Sequence, residues 1–347
     1  MTVDLIAEDT VVVDKRRKIT YHLISYVELP EFLKDNEYIL RYYRAEWPLK
    51  EAFLSLFRWH NETLNIWTHL IGFLLFMELT IAHLGQVARL GDVLSMDTSW
   101  SLHTAAAANT SHNPSNFLGV SHAIFLITLI ATPQPQYSNG SSTPLKGTRW
   151  PFFVSLGGSM FCLLSSSMCH LLICHSHRMK LLLLRLDYSA IAVMIVASLV
   201  PPVYYTFQCD PRWQIFYLTA IVSMGIFAVV TLLSTASVSS GAFRAFRSMF
   251  FIAMGLSGFV PGIHALFLNW GEPKYSIVLA YEVAMGLAYI TGALIYVSRV
   301  PEKWKPGSFD LVGHSHQIFH VFVVAGALVH YAATLILLEW RDRVECN

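Results

Sequence analysis

Three histidines and one aspartate have the residue types and the spacing for metal-assisted chemistry. His316 and His320 lie four apart in His316-Gln-Ile-Phe-His320, so a helix carries both imidazoles on one face, within reach of one ion. Ser166 and His170 have the same offset, and Asp187 follows in Leu186-Asp187-Tyr188. Three imidazoles with a fourth position left to water make a catalytic zinc arrangement, in which the metal lowers the pKa of water to about 7. A neighbouring carboxylate can orient that water and take its proton. Gln317 stands where a His-Glu-x-x-His protease carries its glutamate base, which excludes that class. The base must come from elsewhere, and Asp187 is the obvious supplier.

Whether these residues meet depends on the elements that carry them. The chain has 347 residues, 54% hydrophobic and 14% charged, with a mean hydropathy of +0.47. Soluble domains carry about 25% charged residues, so too few remain here to coat a globule. Plentiful aromatics, 19 Gly, 14 Pro and five Cys exclude disorder, collagen and a disulfide-stapled scaffold. A net charge of +1 gives no electrostatic case for nucleic acid. Seven windows, roughly 63–85, 150–173, 186–206, 213–234, 248–270, 276–298 and 311–338, are apolar over the ~20 residues that a bilayer crossing needs. The expected fold class is all-α: an integral, multi-pass bundle of seven transmembrane helices in the plasma membrane or an endomembrane. An eighth uncharged stretch, Asn116 to Thr132, is short, carries His122 and reads as re-entrant or interfacial. No short basic region precedes the first window and no small-residue cleavage site follows it, so a signal peptide is not expected.

Lys and Arg number 17 on the side of the N-terminus and seven on the other, which places the N-terminus in the cytoplasm and the C-terminus outside, extracellular or lumenal. In that topology His170 lies near the cytoplasmic end of the second span, Asp187 opens the third, and His316 and His320 fall in the first turns of the seventh. Three helices deliver one Asp and three His to one depth. Each histidine alone reads as an interhelical hydrogen-bonding group; together they read as a metal centre.

The other ionisable groups in the windows are His69, Glu78, His83, His264, Glu282, His314 and His330. His314 and His330 read as structural or interfacial, His175 and His177 as members of a solvated loop, and Glu78 and Glu282 have no partner in sequence. Cys209 and Cys346 would face an oxidising side, and nothing in the sequence shows that they pair. Residues 1–45 read as a cytoplasmic N-terminal tail. Residues 46–61 read as an amphipathic helix, lying on the membrane or packed on the ends of the bundle. The membrane domain takes 62–338 with a long outer loop at 86–149, and 339–347 form an outer C-terminal tail.

The run Ser165-Ser-Ser-Met-Cys-His170-Leu-Leu-Ile-Cys-His175, then Leu186-Asp187-Tyr188-Ser189-Ala-Ile191, then Ser315-His316-Gln-Ile-Phe-His320-Val321 closely resembles the progestin and adiponectin receptor family. Phe57-Arg-Trp-His-Asn-Glu-Thr-Leu-Asn-Ile-Trp-Thr-His69, Gly255-Leu-Ser-Gly and Val300-Pro-Glu also fit. The resemblance covers about residues 38–338, and the long first outer loop is similar to that of the plant heptahelical proteins. It implies seven helices with the N-terminus inside. It also implies Zn2+ held by His170, His316 and His320, with Asp187 near the metal through water and Ser166 lining the site. The family's kinship with alkaline ceramidases implies hydrolysis of a lipid amide, while other members are receptors, and plant members are linked to hormone, osmotic and temperature responses.

Two functions share these residues. In the first, a zinc-dependent lipid amidase of the ceramidase type, Asp187 manages the proton and Ser166 hydrogen-bonds the oxyanion or water. In the second, a signalling receptor, the zinc is purely structural. The partners expected are a sphingolipid or ceramide-type membrane lipid as substrate, a hormone or lipid ligand, and a soluble cytoplasmic partner at the N-terminal tail. A transporter is disfavoured because the ligands cluster at one end, and retinal binding is excluded because the seventh span has no Lys.

Overall fold

The computed structural model describes residues 22–99, 148–234, 241–343 and Cys346, with backbone alone at 86–99 and 241–243. Long apolar runs whose backbone groups must be satisfied internally in lipid form helices. These are α2 (Thr63–Ser99), α3 (Trp150–Leu172), α4 (His177–Thr206), α5 (Pro211–Ser234), α6 (Gly241–Leu256), α7 (Phe259–Leu268), α8 (Pro273–Ser298) and α9 (Ser315–Arg343), preceded by the short α1 (Leu49–Leu54). The helices α6 and α7 form one broken span, so seven spans are long and apolar enough to cross a bilayer, including Thr63–Gly85 of α2 and Arg244–Leu268. Among the described residues there is no strand, only an isolated antiparallel bridge between Ile24 and Tyr43. The stretch 116–132 lies outside the described residues.

The helices α3 and α9 form the interior. Over an apolar 18-residue stretch each has 61% of its residues buried within the protein, against 17% for α8 and for the α6–α7 span. Their packing depends on close backbone approach. A Cβ added at Gly158 of α3 would lie 2.3 Å from the Ala197 methyl of α4, so glycine lets these two helices touch where any side chain would hold them apart. Phe76, Phe152, Leu163, Met194, Tyr331 and Leu337 fill the space between them. The outer helices expose Ile215, Phe216, Ile226, Phe227 and Phe267. A continuous apolar exterior of this kind is the lipid-facing surface of a membrane bundle.

The sequence reading differs from the structure at the near end of the bundle, where α2 and α9 begin. Residues 22–45, expected as a tail, are folded against the helices. Leu29, Ile39 and Tyr43 make a small core. The Leu40 N–H donates to Asp310 at 2.8 Å and the Asn36 amide to Glu302 at 3.1 Å. Arg44 is 3% exposed and donates to the carbonyls of His170 at 2.7 Å and Leu171 at 2.9 Å, the unpaired acceptors at the C-terminus of α3, where a cation is also favoured by the helix dipole. These bonds join residues far apart in sequence, so local patterning carries no trace of them. The amphipathic element at 46–61 is helical only over Leu49–Leu54, continued by a 3-10 turn at Ser55–Phe57. Trp47 and Ala52 are buried while Phe53, Leu54, Phe57 and Trp59 are exposed, so it packs on the bundle with one face and presents apolar side chains with the other.

Two further differences concern boundaries and pairing. The helix α4 starts at His177, nine residues before the apolar window, with Ser176 capping it through the Met179 N–H. Asp187 therefore lies in its third turn and does not open it. At the far end Cys209 and Cys346 form a disulfide, and Arg149 pairs with Asp342 at 2.5 Å.

Candidate metal centre

The last turn of α3 and the first turns of α9 bring His170, His316 and His320 together at the near end. Ring centroids are 4.9 Å apart for His170 and His316, 5.0 Å for His170 and His320, and 4.7 Å for His316 and His320. One nitrogen of each ring lies within 4.8 Å of the others. The four-residue offset in α9 accounts for one pair, and the C-terminal placement of His170 in α3 supplies the third.

The tautomers follow from the partners. His170 presents Nδ1 to the Glu62 carboxylate at 2.8 Å, and His320 presents Nδ1 to the Asn65 carbonyl at 3.1 Å. Both partners only accept, so both rings carry the proton on Nδ1 and keep the Nε2 lone pair. The Nε2 atom of His170 is buried with no hydrogen-bond partner. A buried imidazole nitrogen without a partner costs free energy, and a cation shared with two neighbouring imidazoles removes that cost. The donor set of three nitrogens suits zinc.

Asp187 and Ser166 line the same cavity as the three histidines. The Asp187 carboxylate lies beside the Ser166 hydroxyl and the His170 ring, yet it stands outside the group whose ligand atoms converge on one point. The cavity has a volume of about 390 Å³ and runs from these polar groups between apolar walls that include Met194, Leu199, Phe251, Leu279 and Val323. A polar head at one end of an apolar chamber fits an amphiphile.

The sequence reading missed the first turns of α2. Glu62, Asn65 and His69 follow at three- and four-residue steps and so share one face. His69 stacks on His320 with centroids 3.6 Å apart and planes 5° from parallel. Glu62 accepts a hydrogen bond from the Asn65 amide at 2.6 Å. Burial alone would raise the Glu62 carboxyl, but the charge and hydrogen bond of His170 and the Asn65 amide outweigh it and hold the group below the usual carboxylate range. That spacing within Phe57 to His69 was the signal available.

Other expectations resolve individually. Glu282 and His330, without visible partners in sequence, pair with each other at 3.0 Å. His314 sits just before α9 and faces the Asn61 carbonyl at 3.3 Å, a structural role. His175 is no solvated loop residue: its Nδ1 meets the Trp47 carbonyl at 2.9 Å, and His177 packs on Phe32.

A seven-helix membrane bundle with three histidines, two buried and one half-buried, converging at one end defines the class of protein. The chain belongs to the progestin and adiponectin receptor family: residues 57–331 match the family described as haemolysin-III related. It is 50% identical over 333 residues to heptahelical transmembrane protein ADIPOR1 of Oryza sativa subsp. japonica, covering 93% of this chain and 86% of that one. It is 48% identical to heptahelical transmembrane protein 1 of Arabidopsis thaliana over 332 residues, 96% and 85% of the two chains. The adiponectin receptor protein of Drosophila melanogaster is 34% identical over 314 residues, 90% of this chain and 59% of the fly protein.

Proposed function

We propose that the protein is a lipid-amide hydrolase of the ceramidase type that holds zinc on His170, His316 and His320, and that its reaction serves hormone or stress signalling. The observation that carries this reading is the convergence of three imidazoles, those of His170 and His320 buried and that of His316 half-buried, at the polar head of an apolar cavity that also presents Asp187 and Ser166; the Nε2 of His170 has no partner. Bound zinc would supply Lewis acidity, making water acidic at neutral pH and polarising a carbonyl. Asp187 accepts the proton of the attacking water and later returns it to the leaving amine. Ser166 donates a hydrogen bond to the oxyanion that develops on the amide carbonyl. The apolar walls take the lipid chains and keep bulk water away from the reacting carbonyl.

The near end, with residues 22–62 folded across it, faces the cytoplasm in this reading. The 17-to-seven charge split supports it, as does the Cys209–Cys346 disulfide at the far end, because disulfides persist on the oxidising side of a membrane. A lipid ligand or hormone would use the same cavity, and a soluble partner would meet the cytoplasmic face.

Purified protein tests both halves of the proposal. About one zinc per chain and turnover of ceramide are expected. Stoichiometric zinc with no lipid-amide turnover would leave a signalling receptor with a structural metal.

A further inference from the structure

We infer that Glu62 is a positioning residue for the metal centre: its carboxylate fixes the tautomer and orientation of His170, and the first turns of α2 form the outer frame of the site. The inference rests on the metal reading above and adds a residue that touches no substrate.

Glu62 is built into place from several directions. Its Oε2 takes the His170 Nδ1 proton at 2.8 Å and the Asn65 amide at 2.6 Å. Its own backbone N–H donates to His60 Nδ1 at 3.1 Å. Thr63 locks the turn, accepting from the His60 N–H and donating to the Arg58 carbonyl, both at 2.9 Å. His170 is gripped a second time through its backbone, whose carbonyl accepts from Arg44 at 2.7 Å. The ring thus has no freedom to exchange its two nitrogens. Only Nε2 is left to face His316 and His320, and it has no other partner. The Asn65 carbonyl does the same for His320 at 3.1 Å, so one helical start orients a ligand from α3 and a ligand from α9.

A neutral imidazole in water divides its proton between two nitrogens, and the form protonated on Nε2 cannot ligate through that atom. An anionic acceptor at Nδ1 removes this competition and makes the ligand more basic. Outer partners of metal-bound histidines usually contribute 10- to 100-fold in metal affinity. A residue that served only to cap α2 would change stability and leave metal affinity alone.

The test is zinc affinity, measured by chelator competition on purified wild type, Glu62→Gln and Glu62→Ala, with the melting temperature of each metal-free form and the visible spectrum of each cobalt(II)-loaded form. Glu62→Gln keeps the shape and one acceptor oxygen without the charge, and should weaken zinc by about 10-fold; Glu62→Ala should approach 100-fold. The cobalt bands should shift in both, because the ligand field reports on His170 directly. Zinc affinities within twofold of wild type, with unshifted cobalt bands, would overturn the inference while leaving the metal reading intact, whatever happens to the melting temperature. A wild-type protein that binds neither metal would overturn both.

Discussion

At the scale of residues, the proposed ligands and the proposed base are separable by substitution, because three histidine nitrogens converge on one point and Asp187 stands outside that group. His316→Ala or His320→Ala removes one of three convergent nitrogens and should release most of the zinc; near-full retention in both variants would contradict the ligand assignment. Asp187→Asn keeps the side chain's shape but cannot take a proton at neutral pH. It should retain zinc and stability while ceramide hydrolysis falls about 10²- to 10⁴-fold. Loss of zinc and melting temperature together would make Asp187 a direct ligand. His60 gives a pH signature of its own. Burial and the Arg44 charge push its pKa down to about 3 from an ordinary 6.5, against a smaller opposing effect from Glu62. A lowered folded-state pKa means that stability is intact above about pH 6.5 and drains as pH falls, because the unfolded chain binds the proton first. The melting temperature of detergent-solubilised protein should therefore drop between about pH 6.5 and 3, and His60→Asn, whose amide oxygen can replace Nδ1 as the acceptor from the Glu62 N–H, should flatten that slope. An unchanged slope in the variant would assign the acid sensitivity to other groups.

At the scale of elements, the seven spans and the offset of His316 and His320 were legible, because hydropathy and the 3.6-residue repeat are local properties of the chain. The span order put His170 and Asp187 at the depth of those two histidines, and the resemblance to a known family pointed to the same residues. The cap at 22–45 was illegible for the opposite reason: it has no apolar run, and it is held by Arg44, Asn36 and Leu40 through partners 126 to 270 residues away. The start of α4 was hidden because Arg178, Lys180 and Arg185 interrupt its hydropathy, although Lys180 is buried and donates to the Phe32 carbonyl at 2.5 Å. Helix contact makes a sharp prediction at two adjacent positions. Gly157 has open space around its missing Cβ, whereas Gly158 would drive a methyl into Ala197. Gly157→Ala should stabilise by roughly 0.5–1 kcal/mol through helix propensity, and Gly158→Ala should destabilise by about 1–3 kcal/mol through overpacking. Melting temperatures of the two variants moving in the same direction would argue against the close approach of α3 and α4.

At the scale of the whole molecule, the two ends of the bundle belong to different compartments. A tag before Met1 should be protected in intact cells or sealed vesicles, and one after Asn347 should be accessible from outside or in the lumen. Both tags on one side would mean that 116–132 spans the bilayer as an eighth helix. Peptide mapping without reductant should find Cys209 linked to Cys346, while Cys162, Cys169 and Cys174, buried and unpaired in the structure, stay reduced. A free Cys209 in native membranes would argue that the far end faces the cytosol.

The buried contacts of the cap also set an order of events during biogenesis. Asn36 is made early, but its partner Glu302 is 266 residues downstream, and the partner of Leu40, Asp310, is 270 residues downstream. At 5–20 residues per second, translation separates each pair by roughly 10 to 50 s. Through that interval Arg44 can already dock on the end of α3, but the cap cannot latch until the ribosome has delivered the segment just ahead of α9. That same segment leads directly into His316 and His320. The last helix therefore completes the histidine cluster and lets the cap close over the near end in one step, so a nascent chain stalled before it would present His170 and Glu62 without His316 and His320.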